Sequence, residues 1–225
     1  RKLLKKSFQI PIVFSSSCAT YGIPEKYPII ESMEQNPINP YGKSKLMIEE
    51  ILKDFYLSYN MPSIIFRYFN AAGADPNGDL GENHNPETHL IPLAFDAVTK
   101  KSKKFKIFGN DYPTSDGTCI RDFIHVVDLA NAHVQGLKKL LKEGGHYSFN
   151  LGTGKGLSVK QVIKSIEKVT KLHIEIENHP RRLGDPPILV ASSSKAKNEL
   201  GWVPKLSEID TIVEHAWKWY KFLQK

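Results

Sequence analysis

Cysteine is scarce in this chain, with only Cys18 and Cys119 in 225 residues. Two thiols do not make a disulfide framework, and a reducing cytoplasmic setting fits them. No apolar run approaches the ~20 residues that a membrane helix needs, so no membrane partner is expected. Internal repeats and low-complexity tracts are lacking too, which excludes a solenoid or a linker. The eight histidines show no His-Glu-x-x-His spacing, and no metal is expected from them. The chain opens Arg1-Lys-Leu-Leu-Lys-Lys6, without methionine and without the long apolar region of a signal peptide. This basic start reads as the end of an amphipathic helix cut open, so a fragment is expected.

Acidic residues are outnumbered: Lys and Arg total 31 against 24 Asp and Glu, a net charge of +7. A basic balance can serve nucleic acid, an anionic small ligand or only a solvated face. A nucleic-acid binder needs aromatics interleaved on a basic face or a known module. Neither is found, and nucleic acid is not expected. A 40% hydrophobic content is ordinary for a globular protein with a real core. The length suits one large domain or two small ones.

The most informative stretch is Tyr41-Gly-Lys-Ser-Lys45. Residues four apart share a helical face. A free phenol is a poor base at neutral pH, but an ammonium one turn away favours the phenolate. The pair can therefore accept the proton of a sugar or alcohol hydroxyl. On its own, an exposed surface pair explains Tyr-x-x-x-Lys better. The balance changes because Phe14-Ser-Ser-Ser17 ends an apolar run upstream.

Ile10 to Phe14 reads as a short buried strand. Pro40 suits the first turn of a helix running to about Tyr59, with Ile48, Ile51, Leu52 and Phe55 on an apolar face. Pro62 to Phe69 is a second apolar strand. Strand, helix, strand implies a parallel sheet with a crossover. Ser17 and Asn70 then lie at the carboxyl ends of strands, where open α/β sheets bind ligands. Ala71 to Glu87 reads as loop, His89 to Lys100 as helix, and Phe105 to Phe108 as strand. Asp128 to Leu141 is an amphipathic helix and Tyr147 to Leu151 a strand. Ser158-Val-Lys-Gln161 is a capping box, while Ser193 and Ser207 or Glu208 open the last two helices. The aromatic stripe Trp217, Trp219 and Phe222 is read as core, Cys18 as a buried thiol and His125 as a structural histidine.

Seven motifs follow one another in order: Phe14-Ser-Ser-Ser-Cys-Ala-Thr-Tyr-Gly22, Asn39-Pro-Tyr-Gly-Lys-Ser-Lys45, Arg67-Tyr-Phe-Asn70, Ile107-Phe-Gly-Asn-Asp-Tyr-Pro113, Gly117-Thr-Cys-Ile-Arg-Asp-Phe-Ile-His-Val126, Asn150-Leu-Gly-Thr-Gly154 and Pro180-Arg-Arg-Leu-Gly-Asp185. Over essentially its whole length the chain resembles the UDP-glucose 4-epimerase family, a group of extended short-chain dehydrogenases/reductases. The resemblance implies an α/β fold: a partial Rossmann-like, doubly wound parallel sheet with a smaller α/β substrate-binding domain. Residues 1–70 would be the remnant of the NAD-binding domain and 71–225 the UDP-sugar domain, with some late elements packing back. The family's Gly-x-x-Gly-x-x-Gly turn, which seats the NAD pyrophosphate, has no match here. Gly152-Thr-Gly-Lys-Gly156 has the wrong spacing and reads as a tight turn. The first strands of the nucleotide domain are expected to be missing.

The resemblance also implies roles. NAD would be the cofactor and a UDP-sugar the substrate. The full-length protein would form a homodimer through a four-helix contact to which the helix from Pro40 contributes. Tyr41 would be the base, Lys45 its helper and a contact to the nicotinamide ribose, and Ser17 a hydrogen-bond partner of the reacting oxygen. Phe69 would lie beside the nicotinamide and Asn70 beside the diphosphate. Arg121, Arg182 and Asp185 would hold diphosphate and ribose, an arginine fork suiting phosphate. Lys106, Ile107 and Phe108 would offer a strand edge to uracil, His89 and Leu90 a helix start near the phosphates, and Leu189 a pocket wall near C2 of the sugar. A nucleotide-sugar 4,6-dehydratase carries Asp-Glu where Cys18-Ala19 stands here, which argues against that rival. Epimerases of UDP-N-acetylhexosamines or UDP-pentoses stay open, as does an inert remnant of an enzyme.

Overall fold

The computed structural model describes residues 10–99 and 104–224. The expected helix end at Arg1 to Lys6 lies outside the described residues, as do Lys100, Lys101 and Lys103. In chain order the strands are β1 (Ile12–Ser17), β2 (Ser63–Tyr68), β3 (Asn70–Ala72), β4 (Phe105–Phe108), β5 (Ile120–His125), β6 (His146–Leu151), β7 (Gly156–Ser158), β8 (Ile176–His179) and β9 (Ile188–Leu189). The helices are α1 (Pro40–Tyr59), α2 (Leu90–Thr99), α3 (Val126–Glu143), α4 (Val159–Thr170), α5 (Ser194–Leu200) and α6 (Ile209–Leu223). A 3₁₀ turn, Cys18–Tyr21, follows β1 directly.

The first sheet is parallel, in the order β1-β2-β6. Its strands are rich in β-branched and aromatic residues, which fit a pleated, buried surface. Successive side chains on β2 point to opposite faces. Arg67 turns toward Glu49 of α1, whereas Phe66 faces α3, where a Cβ on Gly136 would stand 2.7 Å from its Cζ. Helices therefore cover both faces, the doubly wound arrangement that the parallel pattern predicts. Ile64, Phe66, Phe149 and Trp202 form the core on the α3 side. Burying each such side chain stabilises by roughly 1.5–3 kcal/mol. The Trp202 indole donates to the Asp128 carbonyl at 2.9 Å, so its one polar atom is satisfied.

β5 centres the second sheet. It pairs in parallel with β3 and β9 and antiparallel with β7. β4 and β8 form a parallel pair apart from it. A second core, with Phe95, Phe105, Phe123, Ile166 and Ile212, packs α2, α4 and α6 under these strands. Asn70 opens the second sheet, while β6 returns to the first, so residues late in the chain complete the early layer. Asp122 of β5 is buried among donors from Thr153, Gly154 and Ala191. Burial pushes its carboxyl up, and those hydrogen bonds oppose the shift.

Several sequence expectations need correction. β1 runs through all three serines instead of ending at Phe14, because each of Ser15 to Ser17 has a β2 partner. Ala71 and Ala72, read as loop, belong with Asn70 to a strand held by β5. Ser193 and Glu208 do stand at the N-caps of the last two helices as expected, although neither caps through its side chain. Ser193 instead bonds Gly152, and the Ser207 hydroxyl donates to buried Asp128 at 2.6 Å. Trp217 packs on Phe95, but Phe222 is exposed. The apolar stripe of α1 divides: Leu52 is buried, while Ile48 and Ile51 are exposed beside Met47.

Candidate active site

Pro40 at the first turn and Asn39 at the N-cap start α1, the Asn39 side chain accepting from the Gly42 N–H at 2.8 Å. Gly42 lies against the turn that follows Ser17, since a Cβ there would be 2.4 Å from the Ala19 carbonyl oxygen. That close approach seats the start of α1, with Tyr41, beside the carboxyl end of β1. Lys45 reaches back and donates to the Ser15 carbonyl at 2.9 Å. Its ammonium stands 5.1 Å from the Phe14 ring centre and 5.6 Å from that of Tyr41. Ser17 is buried and accepts from the Ala19 N–H at 3.2 Å. Tyr41 is 55% exposed, so its phenol is open to a ligand.

Phe69 follows the β2 residue paired with Ser17 and is buried against Cys18, Tyr21, Ile29 and Ala191. Leu189 packs on the same cluster. Burial pushes the Cys18 thiol up to about 12, outweighing nearby Arg121, and a thiol held protonated is no nucleophile.

The chain then enters a cavity of about 940 Å³ at Asn70. His89, Leu90, Lys106, Ile107 and Phe108 line it, together with Arg121, Arg182 and Asp185. The cavity thus gathers the residues expected at phosphate, ribose and base, while Ser17, Tyr41, Lys45, Phe69 and Leu189 lie outside its walls. Arg121 already bonds Asp185, the Pro186 carbonyl at 2.8 Å and the Ile120 carbonyl at 2.7 Å. The two residues expected to hold diphosphate and ribose therefore hold each other. Arg182 is exposed and lies 4.1 Å over the Phe108 ring.

Glu87, Thr88, Cys119 and Glu177 also line the cavity; Cys119 falls within the Gly117 to Val126 motif without being singled out, and the other three lie in no motif. Glu87 is legible only as the residue before a helix start. Burial works to raise its carboxyl, but the His89 and Thr88 backbone N–H groups outweigh this and hold it low. Glu49, buried against Arg67 behind the Ser17 edge, escapes sequence reasoning for a different cause: charged residues are seldom fully buried, and no spacing marks those that are.

The family model for GDP-mannose 4,6 dehydratase matches residues 1–215. The chain belongs to this family. It is 52% identical to the UDP-glucose 4-epimerase of Halalkalibacterium halodurans over 222 residues, 97% of this chain and 66% of that protein. The crystal structure of UDP-glucose 4-epimerase from Brucella ovis in complex with NAD aligns with a TM-score of 0.88 and 48% identity, over 92% of this chain and 63% of that one. The UDP-Glc/GlcNAc 4-epimerase of Campylobacter jejuni aligns with a TM-score of 0.79 and 42% identity, over 98% and 68%. The chain therefore spans about two thirds of the length of these relatives.

The residues present fit the nicotinamide-ribose end of NAD. Of the three Lys45 donors, one goes to the Ser15 carbonyl, which leaves others to face a ribose beside an exposed phenol. Among the described residues, no helix is long and apolar enough to cross a membrane.

Proposed function

We propose that the protein is an NAD-dependent UDP-glucose 4-epimerase, an isomerase that interconverts UDP-glucose and UDP-galactose in galactose metabolism through a transient 4-keto sugar. The observation that carries this reading is the position of Ser17, Tyr41 and Lys45 at one strand edge, joined through Phe69 and Asn70 to a cavity with Arg121 and Arg182 on its wall.

Bound NAD supplies reversible storage of the C4 hydride. Every other task falls to the protein. Tyr41 takes the proton of the 4-hydroxyl, and the Lys45 ammonium stabilises the phenolate. Ser17 donates to the reacting oxygen. Phe69 closes the apolar side of the nicotinamide site. Asn70, Arg121 and Arg182 hold the diphosphate, Asp185 the ribose, and the backbone of Lys106 to Phe108 the uracil. His89 and Leu90 flank the phosphates. Arg121 must share or exchange its bond to Asp185 when phosphate arrives.

In this reading residues 1–70 with β6 belong to the NAD domain and most of 71–225 to the UDP-sugar domain. A homodimer would cover Met47, Ile48 and Ile51 on α1. Two buried free thiols suit the cytoplasm. The Campylobacter jejuni likeness and leucine at position 189 favour one secondary reading, in which UDP-N-acetylglucosamine is also accepted.

The test uses the polypeptide at its full natural length. UDP-glucose and UDP-galactose should interconvert without added reductant, and Tyr41→Phe should lower kcat by about 10²–10⁴-fold. Near-normal turnover in that variant removes Tyr41 from the mechanism. A melting temperature unmoved by NAD, with no turnover, identifies an inert remnant instead.

A further inference from the structure

The loop between β3 and α2 carries Glu82, His84, Glu87 and His89 in one short stretch. One donor atom from each lies within 4.8 Å of all the others. The His84 Nδ1 stands 3.4 Å from a Glu82 oxygen and 3.6 Å from a Glu87 oxygen. The His89 Nδ1 stands 3.2 Å and 2.9 Å from oxygens of the same two carboxylates. Four donors placed about 2.0–2.1 Å from a tetrahedral centre are separated from one another by roughly 3.3 Å. The four nitrogen–oxygen distances, which involve both oxygens of Glu87, scatter around that value, and the donors as a set, spread over up to 4.8 Å, would draw together slightly around an ion.

We propose that Glu82, His84, Glu87 and His89 bind a divalent cation of the zinc class. Two imidazole nitrogens and two carboxylate oxygens are a donor set for a borderline metal rather than for Mg²⁺ or Ca²⁺, which favour all-oxygen shells. Two carboxylates also neutralise a charge of +2 without requiring either imidazole to be protonated.

The surrounding structure holds these ligands in place. The Trp219 indole of α6 donates to the Glu82 carbonyl at 2.8 Å. A Glu87 oxygen accepts from the Thr88 and His89 backbone N–H groups, each at 2.7 Å, the kind of outer support that orients ligands. Both imidazoles are about half exposed, which leaves a path for the ion. With four protein ligands the site is closed and structural in type. It would pin the loop to the start of α2 and set a cation at the rim of the cavity that Glu87 and His89 line.

The test needs no substrate. Protein stripped with a chelator is titrated with Co²⁺ and then Zn²⁺, with Mg²⁺ and Ca²⁺ as controls. One equivalent of Co²⁺ should give the visible bands of a tetrahedral site, Zn²⁺ should displace it, and Zn²⁺ alone should raise the melting temperature. His84→Ala and His89→Ala should each weaken binding by on the order of 100-fold, since even outer partners of a metal ligand are worth 10–100-fold. Glu87→Gln, nearly isosteric, provides a second route should either alanine variant misfold by circular dichroism. Absence of a saturable tetrahedral Co²⁺ spectrum, or one that survives the double His84→Ala, His89→Ala change, overturns the proposal.

Discussion

Arg67 grips Glu49 with a buried fork. Its Nε donates to both Glu49 oxygens at 3.1 and 3.0 Å, and its Nη2 donates to one of them at 2.6 Å. Glu49 also accepts from the hydroxyl of Ser16, the neighbour of Ser17. It lies one turn beyond Lys45 and two beyond Tyr41 on α1, so the pair ties the candidate catalytic helix to β1 and β2. Removing one partner leaves the other charge buried alone, at a cost of roughly 3–5 kcal/mol. Arg67→Met should destabilise by about that much in urea denaturation, whereas Arg67→Met with Glu49→Leu should cost less. A single variant losing under ~1 kcal/mol would show that water reaches the pair.

Gly42 tests the junction of α1 with the Ser17 turn. In an exposed helix, Gly→Ala stabilises by up to about 1 kcal/mol. Here the new Cβ would meet the Ala19 carbonyl oxygen at 2.4 Å and the Pro37 Cβ at 3.0 Å, and backbone cannot swing aside. Overpacking costs about 1–3 kcal/mol, so the sign should reverse. Gly42→Ala is expected to lower the melting temperature and, if the proposed function holds, the kcat of the full-length protein as well, because Tyr41 moves with the helix start. A stabilised variant would show that the junction yields.

The elements most legible in the sequence are those with strong local signals. Pro40 announces α1, and its bounds agree; the Ser158 and Gln161 box forms both of its hydrogen bonds. What escapes depends on distant partners. β5 carries Arg121, Asp122 and His125 and reads as polar, yet it is strand because β3, β7 and β9 flank it. β8, Ile-Glu-Asn-His, is largely exposed and exists through its pairing with β4. The motifs name the residues around the cavity but not their bonding without ligand, such as the Arg121 to Asp185 pair. Tertiary pairing, not propensity, decides those positions.

Leu189 bears on substrate size. It packs on the cluster of Cys18, Tyr21, Ile29, Phe69 and Ala191, the side of the proposed site where the nicotinamide, not the uracil, would lie. A leucine fills less of that space than a tyrosine and has no hydroxyl to bond across it. On the proposed function, the full-length protein should turn over UDP-N-acetylglucosamine measurably, though less well than UDP-glucose. Leu189→Tyr should reduce kcat/KM for the N-acetylated sugar selectively, since forcing an extra group into a filled pocket costs about 1–3 kcal/mol. An unchanged ratio between the two sugars would remove residue 189 as the gate.

His125 should make stability depend on pH. It is fully buried at the N-cap of α3. Its Nδ1 accepts from the Val127 N–H at 3.1 Å, so the ring proton sits on Nε2 and is donated to the His215 Nδ1 at 2.9 Å. Burial, helped by His215, lowers its pKa to about 4 from an ordinary 6.5, against the opposing pull of Asp128 and Asp75. Above pH 6.5 neither the folded nor the unfolded state is protonated here, and nothing is lost. Between 6.5 and about 4 the unfolded chain takes a proton that the folded ring refuses, so stability falls as pH falls, and below 4 the loss levels off. Each tenfold difference in proton affinity between the two states is worth about 1.4 kcal/mol, so the loss should approach about 2 kcal/mol at pH 5 and about 3 kcal/mol at its limit. Asn at this position can accept from Val127 without titrating. His125→Asn should therefore lose about 2 kcal/mol less than the wild type in urea denaturation between pH 7.5 and pH 5. Equal losses in the two proteins would place the pH dependence elsewhere than in His125 and its His215 partner.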